Sequence, residues 1–283
     1  MMIEGETWLV LNDASGSDGE ARRQTVLDGL AAAGHAPARI IDCAQDSPPA
    51  AAQLDAAGVG LLAVHGGDGT LNAVVGALDG WGGTVLPLPG GTANLLCKTL
   101  HGEAEVEAIL GALADGRLAT TRRQCVRGDG WLALAEVLAG PGANWADVRE
   151  DMRDRNIVGV VAGAIDAAAA STTGPMVMIE QPAIGRAEGY AGIRLVPDAA
   201  GLVVDGYGAA EIGDYLKQAV AILGRDFRAG PHDELGLHRQ ITCRMTEEAP
   251  IPLMIDGERR DGGPREDFFL ADLAVDLLCM ADG

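Results

Sequence analysis

The segment Val64–Cys97, VHGGDGTLNAVVGALDGWGGTVLPLPGGTANLLC, sets two glycine-rich turns within one short stretch of chain. Gly66-Gly67-Asp68-Gly69-Thr70 follows the apolar run Gly60–Val64, and Gly90-Gly91-Thr92-Ala93-Asn94 follows the run Thr84–Leu88. Each turn opens a helix-like stretch. Strand, glycine turn, helix is the arrangement that aims backbone N–H groups and a positive helix end at a phosphate. Glycine permits both the positive φ and the close backbone approach that a bound polyphosphate requires. Thr70 and Thr92 are placed to cap the following helices through their hydroxyls. Two such turns face one crevice if their strands share a parallel sheet.

The flanking chain supports such a sheet. Strand-like runs at Thr7–Leu11, Arg39–Ile41, Gly60–Val64 and Thr84–Leu88 alternate with helix-like runs at Glu20–Ala33, Ala50–Ala57, Thr70–Leu78, Thr92–Leu100 and Glu103–Ala114. Strands alternating with helices predict a parallel sheet covered on both faces, a Rossmann-like α/β domain over 1–118. After Gly116 the pattern changes. Thr120–Val126 and Trp131–Leu138 flank a hairpin loop at Arg127–Gly130, and further strands are expected at Met176–Glu180, Ile193–Val196, Leu202–Val204, Gln240–Arg244, Pro252–Ile255 and Phe268–Leu270. Helix-like insertions fall at Trp145–Ala170 and Ala209–Leu223. The expected second domain, 119–283, is a β-rich antiparallel sandwich.

Composition removes several classes of function. With 48% hydrophobic residues over 283 positions, the chain has ample apolar content for two cores. The formal net charge is -20, and Lys98 and Lys217 are the only lysines. Nucleic acid is therefore excluded as a partner, since no basic cluster is present to meet its phosphates. Tight adsorption to an anionic membrane is disfavoured for the same reason. Five singly placed cysteines without a C-x-x-C pair read as buried thiols of a reducing compartment. The histidines lack metal-ligand spacing. Met1–Thr7 lacks the layout of a signal peptide, and no apolar run approaches the ~20 residues of a membrane span. A soluble cytoplasmic protein is expected.

GGDGT followed at this spacing by P-x-G-T-x-N (Pro89, Gly91, Thr92, Asn94) resembles the diacylglycerol kinase catalytic-domain family, which includes bacterial lipid kinases and sphingosine kinases. Asn12-Asp13-Ala14-Ser15-Gly16 resembles that family's N-P-x-S-G turn, with Asp13 in place of proline. Leu253-Met254-Ile255-Asp256-Gly257-Glu258 resembles its apolar strand followed by D-G-E. The four elements stand in family order.

The resemblance implies a nucleotide-binding α/β domain, a β-sandwich and an active site in the cleft between them, using ATP and Mg2+ to phosphorylate a lipid hydroxyl. It implies nucleotide contacts from Asn12, Ser15, Gly16, Gly66, Gly67, Asp68, Gly69, Thr70, Asn72, Gly91, Thr92 and Asn94. Asp68, on an expected surface loop, would lie beside the phosphates and help hold the metal or organise the loop. Glu258 would accept the proton of the acceptor hydroxyl, with Asp256 in support. Two departures stand out. The family's aromatic-x-N-x-x-x-G-x-G lead-in to the second domain is not evident in Leu132–Glu136, and Ala200 stands where an acid of a structural-metal segment is usual.

The acceptor is read as a diacylglycerol-like lipid or a long-chain amino alcohol, met through brief membrane contact, and a homodimer is allowed. An NAD kinase shares GGDGT but lacks the P-x-G-T-x-N partner. A non-catalytic nucleotide-binding regulator is the rival from another class, opposed by the intact Asp256-Gly257-Glu258. No P-loop signature occurs.

Overall fold

The computed structural model describes residues 3–12, 17–43, 45–78, 80–144, 174–208 and 232–280. Two compact units divide the chain, Met1–Arg123 with Asp272–Gly283, and Gln124–Ala271.

The first unit opens with β1 (Glu6–Leu11), α1 (Ser17–Ala32), β2 (Arg39–Asp42), α2 (Ala51–Ala56), β3 (Val59–Gly66) and α3 (Asp68–Ala77). It continues with β4 (Thr84–Pro89), α4 (Leu95–His101), α5 (Val106–Ala114) and β5 (Leu118–Thr121). β1, β3 and β4 are buried along nearly their whole lengths, which is why each reads as an unbroken apolar run. Leu9, Leu11, Leu61, Ala63, Leu86 and Leu88 form one core with Val26 and Leu30 of α1 and Ile109 and Leu110 of α5. Val10, Leu62 and Val64, of opposite parity, are equally buried, and α2 and α3 pack against β3.

The second unit comprises β6 (Gln124–Gly128), β7 (Trp131–Ala133), β8 (Val137–Ala139), a 3-10 turn at Pro141–Asn144, β9 (Val177–Gln181), β10 (Gly192–Asp198), β11 (Gly201–Tyr207) and β12 (Asp233–His238). It is completed by β13 (Gln240–Met245), β14 (Pro252–Ile255), β15 (Glu258–Asp261) and β16 (Arg265–Asp272), after which β17 (Asp276–Met280) ends the chain. Its two sheets run β12-β11-β10-β8-β14-β15 and β7-β6-β16-β13-β9. Their inner faces supply one core, with Ile193, Leu195, Val204 and Leu253 meeting Val126, Ile179, Ile241 and Phe268. That is the expected sandwich.

The first sheet has the order β2-β1-β3-β4-β17-β5. β1 pairs in parallel with both β2 and β3, so the chain reverses its winding direction between β1 and β3. The crevice outside the carboxyl ends of those two strands is where open α/β sheets bind ligands. β17 lies parallel to β4 and antiparallel to β5. The chain end thus belongs to the first sheet, although the sequence assigned it to the second domain.

Other expectations change in detail. Thr120–Val126 is not one strand: β5 ends at Thr121 in the first sheet and β6 begins at Gln124 in the sandwich. Trp131–Leu138 is likewise broken, at Leu134–Glu136, between β7 and β8 in different sheets. The hairpin at Arg127–Gly130 is present, with Gly128 paired to Trp131 across Asp129-Gly130 and Gly130 at φ 71. The helix-like insertions Trp145–Ala170 and Ala209–Leu223 lie outside the described residues.

Candidate active site

The two glycine turns touch backbone to backbone. β3 and β4 run in parallel register up to the pair Gly66 and Pro89, so both turns leave the same sheet edge. The Gly90 N–H donates to Gly66 O at 3.0 Å. A Cβ on Gly91 would stand 2.6 Å from the Gly67 Cα, and one on Gly90 would stand 2.9 Å from the Gly66 Cα. None of these glycines has a positive φ among the described residues. Close approach, rather than a left-handed backbone, is what requires glycine here. Gly67 differs from Gly91 in that a Cβ would not clash. A Cβ there would meet only the Gly91 Cα, at 3.5 Å.

Asn12 is tied to the first of the two turns. Its N–H donates to His65 O at 3.1 Å, and its Nδ2 donates to the Thr70 Oγ1 at 2.6 Å. The end of β1 is thereby tied to the first turn of α3, at the switch between β1 and β3. Ser15 and Gly16 lie outside the described residues.

The threonines do not cap as expected. Gly67 is the N-cap of α3 and Asn94 that of α4. Thr70 faces Asn12 instead, and Thr92 is exposed on the second turn, before Asn94. Asn94 adopts φ 50 and ψ 44 and clamps its own turn. Its Oδ1 accepts from Gly91 N–H at 2.8 Å while its Nδ2 donates to Gly91 O at 2.9 Å. Asparagine is among the few side-chain-bearing residues that tolerate the left-handed region, because its short polar group bonds locally. Gly69 and Asn72 lie within α3.

Asp68 is a buried first-turn residue of α3, where a surface loop was expected. Its Oδ1 accepts the Leu96 N–H at 3.2 Å, so one carboxylate links the start of α3 to the start of α4. Burial, and then the charge of Asp68, push the Cys97 thiol up to about 12, which leaves Cys97 a protonated packing group. His101 closes α4 with Nε2 3.0 Å from Pro87 O, and burial holds its pKa below the ordinary histidine value. Lys98 is exposed and lies 3.6 Å from Glu103.

In the second unit, Asp256-Gly257 forms the two-residue turn between β14 and β15, with φ 47 and 89 and with Ile255 paired to Glu258. Positive φ at both central residues is the twist-matched hairpin turn, and the D-G pair suits it. Asp256 is buried, and its carboxylate accepts the N–H groups of Leu134 at 2.7 Å, Ala135 at 2.8 Å and Glu136 at 3.0 Å. It anchors the turn. Glu258 is exposed at the start of the edge strand β15. Of the pair, Glu258 is the carboxylate presented to solvent.

Three residues of this unit were missed from sequence. Glu136, buried just before β8, accepts from the Arg194 Nε at 2.9 Å, and Arg194 Nη1 reaches Asp205 Oδ2 at 3.4 Å. Glu136, Gly140 and Gly142 do reproduce the N-x-x-x-G-x-G spacing, with glutamate at the asparagine position. For Arg194 and Asp205 the signal was a charge inside an otherwise apolar strand. The segment with Ala200 is the β10–β11 hairpin, where Asp198 Oδ1 accepts the Ala200 N–H at 2.9 Å.

The residues at the glycine turns, small and rich in backbone groups, fit a nucleotide. They do not by themselves make a metal site. Among the described residues no group of three or more His, Cys, Asp or Glu is placed to hold an ion. No helix among them is long and apolar enough to cross a membrane.

Residues 6–123 match the family model for the diacylglycerol kinase catalytic domain. These residues form such a domain, and the class of enzyme is a lipid kinase. The whole fold is shared with solved structures. A diacylglycerol kinase from Bacillus anthracis str. Sterne is 17% identical with a TM-score of 0.64, covering 97% of either chain. Another protein of that organism, provisionally assigned as a diacylglycerol kinase, is 18% identical with a TM-score of 0.66 and covers 97% of each chain. Among curated proteins, none matches significantly.

Proposed function

We propose that the protein transfers the γ-phosphoryl group of ATP to the hydroxyl of a lipid, diacylglycerol-like or a long-chain amino alcohol. The observation that carries the nucleotide half is the junction of Asn12, Gly66–Thr70 and Gly90–Asn94 at the carboxyl ends of β1, β3 and β4. Backbone groups of the first turn and the N-terminus of α3 suit the phosphates, and Gly67 leaves room for them. Asn94 and Asp68 hold the two turns in place. A divalent cation, when bound with the nucleotide, would spread the charge of the transferring group.

Glu258 is assigned the proton. The acceptor hydroxyl gives its proton to this carboxylate as its oxygen bonds to the γ-phosphorus, while the bond from that phosphorus to the bridging oxygen breaks and ADP leaves. Asp256 serves as the anchor of the turn rather than as a second base, because its oxygens are occupied by backbone donors. The net charge of -20 favours brief, local contact with a lipid surface.

Incubation with γ-labelled ATP and a total lipid extract tests the reading. Label is expected in a lipid, dependent on a divalent cation. ATP binding without label in any lipid would leave the nucleotide-binding regulator as the function.

A further inference from the structure

Glu136 is bonded on two sides. Its main chain forms a reciprocal pair with Asp256, the Glu136 N–H donating to Asp256 Oδ1 and the Asp256 N–H donating to Glu136 O, each at 3.0 Å. Its side chain is held by Arg194 at 2.9 Å. Arg194 in turn lies opposite Asp205 in the β10–β11 ladder and reaches its carboxylate. The side chains of Glu136, Arg194 and Asp205 are 6%, 24% and 10% exposed. Tyr207, whose phenol burial pushes up, also hydrogen-bonds Arg194.

Such a cluster is poorly explained as a source of stability. Taking three charges out of water costs more than their attraction usually returns, and apolar replacements are often neutral or stabilising. What the cluster does supply is position. β8 is only three residues long, and the segment before it, Leu134–Glu136, has left the ladder of β7. Arg194 fixes this segment from the side chain of Glu136, and the segment offers its three N–H groups to Asp256. The row Met254, Leu138, Arg194, Asp205 runs across β14, β8, β10 and β11 in continuous register. The turn carrying Glu258 is therefore set from two strands away.

We infer that Arg194 and Glu136 are positioning residues that fix the Asp256-Gly257-Glu258 turn for phosphoryl transfer. The catalytic half of this inference rests on the kinase reading above; the mechanical half does not. A misplacement of about 1 Å in a reacting group can cost on the order of 100-fold in rate.

The test is the triple variant Glu136→Gln, Arg194→Met, Asp205→Asn, which removes all three charges together so that none is left buried and unpaired. Two readouts are taken on the full chain: amide hydrogen exchange at Leu134, Ala135 and Glu136, and the split between kcat and the KM for ATP. The expected result is a folded protein whose three amides exchange about 10-fold faster or more, with kcat down roughly 10- to 100-fold and the KM for ATP within about 2-fold. Arg194→Lys keeps the charge on a single nitrogen, without the guanidinium fork, and should recover part of both losses. Arg265→Gln, which breaks an exposed pair with Glu180 on the other sheet, should change neither. Unchanged exchange overturns the latch. Faster exchange with unchanged kcat overturns its catalytic role. If the unmodified protein phosphorylates no lipid, the kinase reading fails and the latch is decided by exchange alone.

Discussion

Alanine at Gly67 and at Gly91 should have opposite consequences, and the difference follows from one distance. At Gly91 the new Cβ would lie 2.6 Å from the Gly67 Cα and 3.2 Å from Asn94 Oδ1. Carbon atoms in good contact stand at about 3.5–4.0 Å, so the turns would have to separate by about 1 Å. Both neighbours are fixed, the first by the β3–β4 ladder and the second by the Asn94 clamp. Overpacking of this kind typically costs about 1–3 kcal/mol. For a domain of this size that corresponds to a fall in Tm of roughly 3–12 °C. At Gly67 the Cβ would meet the Gly91 Cα at 3.5 Å, an ordinary contact, and φ -77 with ψ 176 is open to alanine. Gly67→Ala should keep its Tm within about 2 °C, as for a substitution worth under ~0.5 kcal/mol. It should nevertheless weaken ATP binding by about 10-fold or more, because the methyl group occupies the space assigned to the phosphates. Thermal denaturation and calorimetric titration with ATP, run on both variants, read the two effects separately. Unchanged ATP affinity in a folded Gly67→Ala protein would refute the placement of the phosphates, and an unchanged Tm in Gly91→Ala would refute the packing argument.

Asp68→Ala removes the buried partner of the Leu96 N–H and should lower stability by about 1–3 kcal/mol, whereas Asp68→Asn keeps an acceptor and should recover most of it in a denaturant titration. His101 has its pKa lowered by burial, so the folded state takes up its proton at a lower pH than the unfolded state does. Stability should thus be full above about pH 6.5, the ordinary histidine value, and decline as pH falls below it; His35, lowered in the same way, adds the same sign. A His101→Gln variant should show a shallower decline in Tm across that range. With a net charge of -20, self-repulsion should be relieved by salt, so Tm should rise between low salt and about 0.5 M sodium chloride; a flat response would show that the acidic surface is not limiting.

The sequence disclosed the elements whose periodicity was imposed by burial on both sides. β1, β3 and β4 read as apolar runs because residues of both parities are buried along nearly their whole lengths. β15 and β12 were missed for the opposite reason: Glu258–Asp261 is exposed throughout and Asp233–His238 has no fully buried residue, and an edge strand that gives so little to a core carries little apolar alternation. β17 is an apolar run, but nothing local says that a chain end returns to the first sheet. At the site, the meeting of the two glycine turns on one sheet edge was legible, since glycine turns at the ends of two apolar runs point to neighbouring parallel strands. The capping roles were not. Asp68 reaches α4 and Asn94 reaches back to Gly91, and such partners depend on how two turns stack. Arg194 and Asp205 each stand out only as a charge in an apolar strand, and that the two pair across the ladder is not written in either strand alone.

Whether Glu258 takes the acceptor's proton is decided by comparing lipid phosphorylation by the unmodified protein with that of Glu258→Gln under saturating ATP. The substitution keeps the size of an exposed side chain and removes its capacity to take a proton. Turnover should fall by about 10²–10⁴, the usual contribution of a positioned base, with ATP affinity preserved. Equal turnover in the two proteins would show that Glu258 is not the base.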